Sequence, residues 1–223
     1  MTMKTNAVLA AALAMGAVSA QAAISFPGST SLGNGSMLFL AHNPTDQMTL
    51  IVDLGLVMKD MVPGSTILSS ASNRISWNFG TDTVDTNVAG LSITGNAWST
   101  AYNTFAAATS PSEFTWGVIA ADSVTGTAVT GSNAIVGRGW LATVNATLAQ
   151  MTAANTSGPT GNALTKLTDF YAAANNLGNI ALANNGAGIA TSGTAYGALD
   201  GNFTGSNTWN YLLANGVVST MQY

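Results

Sequence analysis

One histidine (His42), one glutamate (Glu113), eight aspartates and no cysteine make up nearly all the side chains here that carry reaction chemistry. Catalysis needs titratable or nucleophilic groups converging in a pocket. With a single His and no Cys, metal sets built on those ligands cannot form within one chain. A Ser-His-Asp arrangement would need His42, one of many serines, and an acid such as Asp46 or Asp53. No G-x-S-x-G elbow frames any serine. His42 sits at the mouth of an Asn43-Pro44 turn and reads as a solvated turn histidine. A glycosidase needs two opposed carboxyls, which Glu113 and an Asp would supply only by accident of folding. The residues therefore point away from enzymatic activity.

The densest acidic pair is Asp82 and Asp85, in a polar loop of Asp, Thr and Asn after a strand. Ca²⁺ takes six to eight oxygens from such loops. These two residues are the candidate ligands, and Ca²⁺ is the one cofactor the sequence admits. The segment lacks the EF-hand spacing and its bidentate Glu, so turn-forming Asp is the competing explanation.

The first 22 residues have the three regions of an export signal: Lys4, the apolar stretch Ala7 to Val18, and Ala20-Gln21-Ala22 as the small-x-small cleavage pattern. Residues 23–223 are then expected as one secreted domain, extracellular or at the cell surface. Its net charge is −5, from four basic against nine acidic residues. The basic residues Lys59, Arg74, Arg138 and Lys166 are scattered, which disfavours nucleic acid and anionic membrane surfaces. No later segment is apolar for long enough to span a membrane. An exported chain without disulfides must rest on its core, and the 47% apolar content is ample for that.

Strand signals dominate the elements that must position these groups. Met37 to Ala41 and Met48 to Leu54 flank Asn43-Pro44-Thr45-Asp46 and read as a hairpin with a type I turn. Ile75, Trp77 and Phe79 alternate with polar residues, and Arg138 to Val144 alternates likewise. Phe114 to Ala121 is apolar on both faces, as a covered central strand would be. Trp98, Tyr102 and Phe105 make a helical stripe over Ala97 to Ala108, with Asn96 as its expected N-cap. Leu164, Leu167, Phe170 and Tyr171 make another over Asn162 to Ala174, and a short helical turn covers Val57 to Met61. Asn175 to Asn207 reads as a long Gly- and Asn-rich loop with short strands. The chain closes on an Asn215-Gly216 hairpin signal. A mostly β fold follows, with one or two short packed helices.

Several segments together resemble a known family. They are Gly33-Asn-Gly-Ser-Met-Leu-Phe-Leu40, Leu50-Ile-Val-Asp-Leu-Gly-Leu-Val-Met-Lys-Asp60, Phe114-Thr-Trp-Gly-Val-Ile-Ala-Ala-Asp-Ser123 and Gly139-Trp-Leu-Ala-Thr143. In order and spacing they are similar to exported proteobacterial surface and matrix proteins with a Pro-Glu-Pro C-terminal sorting tail (PEP-CTERM, exosortase-sorted). The resemblance covers roughly residues 33 to 145 and implies a jelly-roll-like β-sandwich. Its motifs mark packing and carry over no functional residue. The sorting motif, apolar helix and basic cluster of that family do not follow Val217–Tyr223, which implies a released form lacking the anchor.

Two functions remain in play. One is a secreted structural subunit of an extracellular fibre or biofilm matrix, its partner a second copy of itself joined by β-strand complementation. Ile24 and Phe26 at one end, and Val217, Met221 and Tyr223 at the other, are the candidate assembly residues, because neither segment carries a charge that would protect an edge. The alternative is a carbohydrate-binding module presenting Trp and Asn side chains to an extracellular polysaccharide. N-terminal sequencing of exported protein should begin at Ala23, and a sequence that still begins at Met1 would overturn the export reading.

Overall fold

Asn43 fixes the first hairpin. Its Oδ1 accepts hydrogen bonds from the backbone N–H of Thr45 and Asp46 at 2.8 and 3.0 Å, and its Nδ2 donates to Asp46 Oδ2 at 2.7 Å. This side-chain mimicry of a backbone turn is what Asn offers at such positions. Strands β1 (Ser36–Asn43) and β2 (Met48–Val57) run antiparallel away from it, from Asn43↔Met48 to Leu38↔Asp53. The computed structural model describes residue 24 and residues 35–61, 64–109, 114–122, 139–144, 169–180, 185–196 and 220–222.

Seven more strands follow in the described residues: β3 (Ile75–Asn78), β4 (Thr83–Thr86), β5 (Asn96–Ala97), β6 (Thr115–Asp122), β7 (Gly139–Val144), β8 (Asn185–Ala190) and β9 (Thr220–Gln222). One seven-stranded sheet has the order β5-β8-β2-β1-β6-β7-β9, while β3 and β4 form a separate hairpin. Every pairing is antiparallel except β5 with β8. Helix α1 (Ser99–Ala108) follows β5, residues 169–174 form α2, and Gly193–Tyr196 make the single turn α3. The protein is thus mostly β with short packed helices, as its alternating patterns predict. No helix among the described residues is long and apolar enough to cross a membrane.

Period-2 alternation places Met37, Ala41, Leu50 and Val52 on one face of the sheet. There they join a core with Trp98, just ahead of α1, and Phe105 of α1, against which Trp77 and Phe79 of the β3–β4 hairpin pack. Phe79 links the layers, with its ring 5.1 Å from Phe39, 5.4 Å from Trp98 and 5.9 Å from Tyr102. Leu38, Leu40 and Ile51 point to the opposite face and are as fully buried. Tyr171 of α2 reaches β1 from that side, its hydroxyl donating to the Ser36 carbonyl at 2.6 Å. The central strands β1 and β2 are therefore covered on both faces, the arrangement that uninterrupted apolar strands call for.

One expectation about the strands changes. The polar loop holding Asp82 and Asp85 is in part strand β4, registered against β3 from Ile75↔Thr86 to Asn78↔Thr83. The turn of the expected C-terminal hairpin, Asn215-Gly216, lies outside the described residues, while β9 pairs with β7 through Ala142↔Gln222, Thr143↔Met221 and Val144↔Thr220. Strand β8, Asn-Gly-Ala-Gly-Ile-Ala, is one of the short strands expected within the Gly- and Asn-rich segment 175–207. It lies beside β2, from Thr49↔Ala190 to Val52↔Ala187. Its composition has a steric cause. A Cβ on Gly188 would lie 2.6–2.8 Å from atoms of Leu177, and one on Gly186 would strike the backbone of Asn179. Residues 177–180 rest directly on β8, with Asn179 N–H donating to the Ala187 carbonyl at 3.1 Å.

Gly188→Ala should accordingly destabilise the protein by about 1–3 kcal/mol in urea unfolding. Gly80→Ala should change stability little, since a Cβ there meets atoms only at ordinary contact distance, 3.6 Å or more. Equal stability of the two variants would refute the close-approach explanation.

Candidate functional site

The polar chemistry concentrates where β2 leaves regular pairing. Ser36 is opposite Val57 and Leu38 is opposite Asp53, so β2 carries two more residues than β1 across this stretch. The bulge turns at Gly55, whose φ of 72° favours glycine. A Cβ there would also approach Ile93 and Asn185 to within 2.6–2.9 Å. Bulging frees carbonyls from the ladder, and buried carbonyls require donors. Two indoles provide them: Trp98 Nε1 donates to the Asp53 carbonyl at 2.9 Å and Trp77 Nε1 to the Leu54 carbonyl at 3.0 Å. Asp60 accepts from Val57 N–H at 2.9 Å and closes the strand end. Asn185 of β8 donates to the Thr94 carbonyl and to Asn96 Oδ1, which pins β5 alongside.

Asp53 is 5% exposed, and its Oδ1 accepts from Gly55 N–H at 2.9 Å. Burial pushes its carboxyl up to about 6, against the opposing pull of the hydrogen bonds from Gly55 and the Ser36 side chain.

The two candidate Ca²⁺ ligands are given separate work. Asp82, at a left-handed φ of 56°, aims its carboxylate at the start of α1. Oδ1 accepts from the backbone N–H of Trp98 and Ser99 at 2.5 and 2.7 Å, and Oδ2 accepts from the Ser99 hydroxyl at 2.7 Å. Desolvation raises this carboxyl, but those three hydrogen bonds outweigh it and hold it below the usual value. The helix cap thus comes from the β3–β4 turn, whereas Asn96, the expected N-cap, donates to the Asp82 carbonyl at 3.1 Å. Asp85 faces solvent and pairs with Arg74 at 2.8 Å. No group of three His, Cys, Asp or Glu that could hold a metal occurs among the described residues.

His42 is a strand residue and is only 3% exposed, contrary to the solvated turn expected. The strand runs through to Asn43, so His42 falls on the covered α2 face. Its Nδ1 lies 2.9 Å from Thr49 Oγ1, and that hydroxyl donates to the Tyr196 carbonyl at 2.7 Å. The Thr49 proton being spent there, His42 Nδ1 carries the proton of their shared bond. With the Tyr196 ring 5.1 Å away, the histidine seats α3 on the sheet.

Of the candidate assembly residues, Ile24 is buried at 1% exposure and its N–H donates to Asn175 Oδ1 at 3.2 Å. Met221 lies in edge strand β9. Phe26, Val217 and Tyr223 fall outside the described residues, as do Glu113 and Trp209. A cleft of about 250 Å³ beside the bulge is lined by Leu56, Asp60, Ser65, Ile67, Gly90 and Leu91. It is smaller than the ~300–1,000 Å³ usual for ligand pockets.

Asp53 and Gly55 are the residues that pattern reading undervalued. The available signal was an acidic residue in an apolar run with Gly two positions on, a bulge mark. The chain matches no family model, no curated protein and no solved structure.

Asp82→Ala removes a helix cap and should cost about 1–2 kcal/mol at neutral pH. A depressed carboxyl contributes stability above its unfolded value of 3.8, and that contribution is lost as pH falls through the folded value. The gap between wild type and variant should therefore close in acid. Asp85→Ala, which breaks only an exposed pair, should lie within about 1 kcal/mol of wild type. Melting curves with and without Ca²⁺ check this. A stabilisation by Ca²⁺ that Asp82→Ala abolishes would restore the metal-site reading over the cap.

Proposed function

We propose that this chain is an exported structural subunit of an extracellular fibre or biofilm matrix, without enzymatic activity, that assembles with copies of itself by β-strand complementation. The observation that carries this reading is β9. It is, among the described residues, one outermost strand of a sheet whose central strands are covered on both faces by the chain's own elements, and three register pairs join it to β7. Association through backbone hydrogen bonds is then a matter for sheet edges. When β9 of one copy pairs with β7 of the next, the same ladder forms between chains and little pairing energy is lost. A transfer that is not reciprocated makes a heterologous contact and grows a filament; a reciprocated one closes a dimer.

Other features support the reading. The terminal stretch Val217-Val-Ser-Thr-Met-Gln-Tyr223 has neither charge nor proline, and a chain with 6% charged residues has little electrostatic repulsion between copies. The opposite end suits the donor role less well, because Ile24 is seated in its own fold through Asn175. A sugar platform on Trp77 and Trp98 is disfavoured, since both indole N–H groups are spent on the bulge. The resemblance to exported matrix proteins agrees with an extracellular setting.

Electron microscopy of the secreted protein should show filaments. Ending the chain at Gly216 should abolish them while leaving the β-rich circular dichroism of a folded monomer. Filaments of normal yield and length from that truncation would defeat strand complementation by the C-terminal segment.

A further inference from the structure

We propose that Asp53 is a pH-dependent clasp that joins the two layers covering the sheet, closed in mild acid and weakened near neutrality. A line of hydrogen bonds crosses the molecule through this residue. On one side, Tyr171 of α2 donates to the Ser36 carbonyl at 2.6 Å, and the Ser36 side chain hydrogen-bonds the Asp53 carboxyl. On the other, the Asp53 carbonyl accepts the Trp98 indole N–H at 2.9 Å, and the Trp98 backbone N–H is held by Asp82. Between them, Asp53 Oδ1 holds Gly55 N–H and with it the left-handed turn of the bulge.

The groups around this carboxyl determine its response. Its hydrogen-bond donors, Gly55 N–H and Ser36, are neutral. Asp60 on the turn after β2 and Asp82 at the head of α1 are both acidic, and Tyr171 faces it from α2 by way of Ser36. Asn185 on β8 is uncharged. His42 shares its sheet face but sits four residues along β1 from Leu38, the register partner of Asp53. Lys59 is exposed on its 3₁₀ turn, and Arg74 is committed to Asp85 on the outer hairpin. Among the described residues no cation faces Asp53, so its ionised form is a desolvated charge, which is costly even when hydrogen-bonded. The neutral acid fills the same place without that cost.

The sign follows from a folded value of about 6 against 3.8 in the unfolded chain. The native state holds this proton over a range where the unfolded state has released it. Stability from Asp53 is complete below 3.8, declines as pH rises through about 6, and is absent above.

The test is urea unfolding of the full chain from pH 4 to 8, for wild type and Asp53→Asn, together with the ¹³C titration of the folded wild-type carboxyls. The wild-type unfolding constant should rise about fiftyfold relative to the variant between pH 4 and 7. The Asp53 carboxyl should titrate with a midpoint near 6, and exchange of the Trp98 indole proton should accelerate across the same range. If Asp53→Asn does not fold, the carboxyl midpoint and the indole exchange decide. A midpoint near 4, an indole exchange indifferent to the titration, or a folded variant with the wild-type pH dependence would each overturn the clasp.

Discussion

A strand with two surplus residues in the middle of a covered sheet creates a demand that much of this fold answers. At Asp53-Leu54-Gly55 the ladder to β1 breaks, and carbonyls that would have paired with a neighbouring strand are left inside the protein. An unpaired buried carbonyl costs about 1–3 kcal/mol. The two donors that reach them are indoles from separate elements, Trp77 on the hairpin and Trp98 at the head of α1. Satisfying the bulge therefore fixes where both of these elements sit. The aromatic contacts between Phe39, Phe79, Trp98 and Tyr102 then fill the space between them.

The placement of α1 shows how one constraint passes to the next. Trp98 must reach Asp53 with its ring, which brings the first turn of the helix beside the β3–β4 turn. The open N–H groups there need an acceptor, and Asp82 supplies its carboxylate from the hairpin. Bulge, indole, helix and hairpin are thereby joined by hydrogen bonds as well as by apolar contact. Such networks rigidify when every member is satisfied. Three of the acidic residues serve such internal duties: Asp53 and Asp60 hold the bulge and Asp82 caps the helix.

On the other face the packing is closer still, because residues 177–180 cross β8 almost backbone to backbone. Glycine at 186 and 188 admits that approach, and the second cover descends onto the sheet with Phe170 and Tyr171 fully buried. With both faces closed, a chain so poor in charge has its sheet edges as the surfaces open to backbone pairing. The proposed assembly accordingly runs through edge strand β9.

Much of this was legible in the amino-acid sequence. The Asn43-Pro44 turn and its two strands, the alternation of Ile75, Trp77 and Phe79, the doubly apolar β6 and the stripe of Trp98 and Phe105 all follow from local chemistry and periodicity. These signals depend on each residue's own neighbours in the chain, so they survive without a three-dimensional context. Short strands were expected between Asn175 and Asn207, but the position of β8 was not legible, because its residue types answer a loop that crosses it and not the propensity of a strand. The cap from Asp82, the burial of His42 and the raised carboxyl of Asp53 were hidden for the same reason. Each depends on groups brought together from distant positions (Asp82 with Ser99, His42 with Tyr196, Asp53 with Trp98), and only the tertiary structure decides which of them meet.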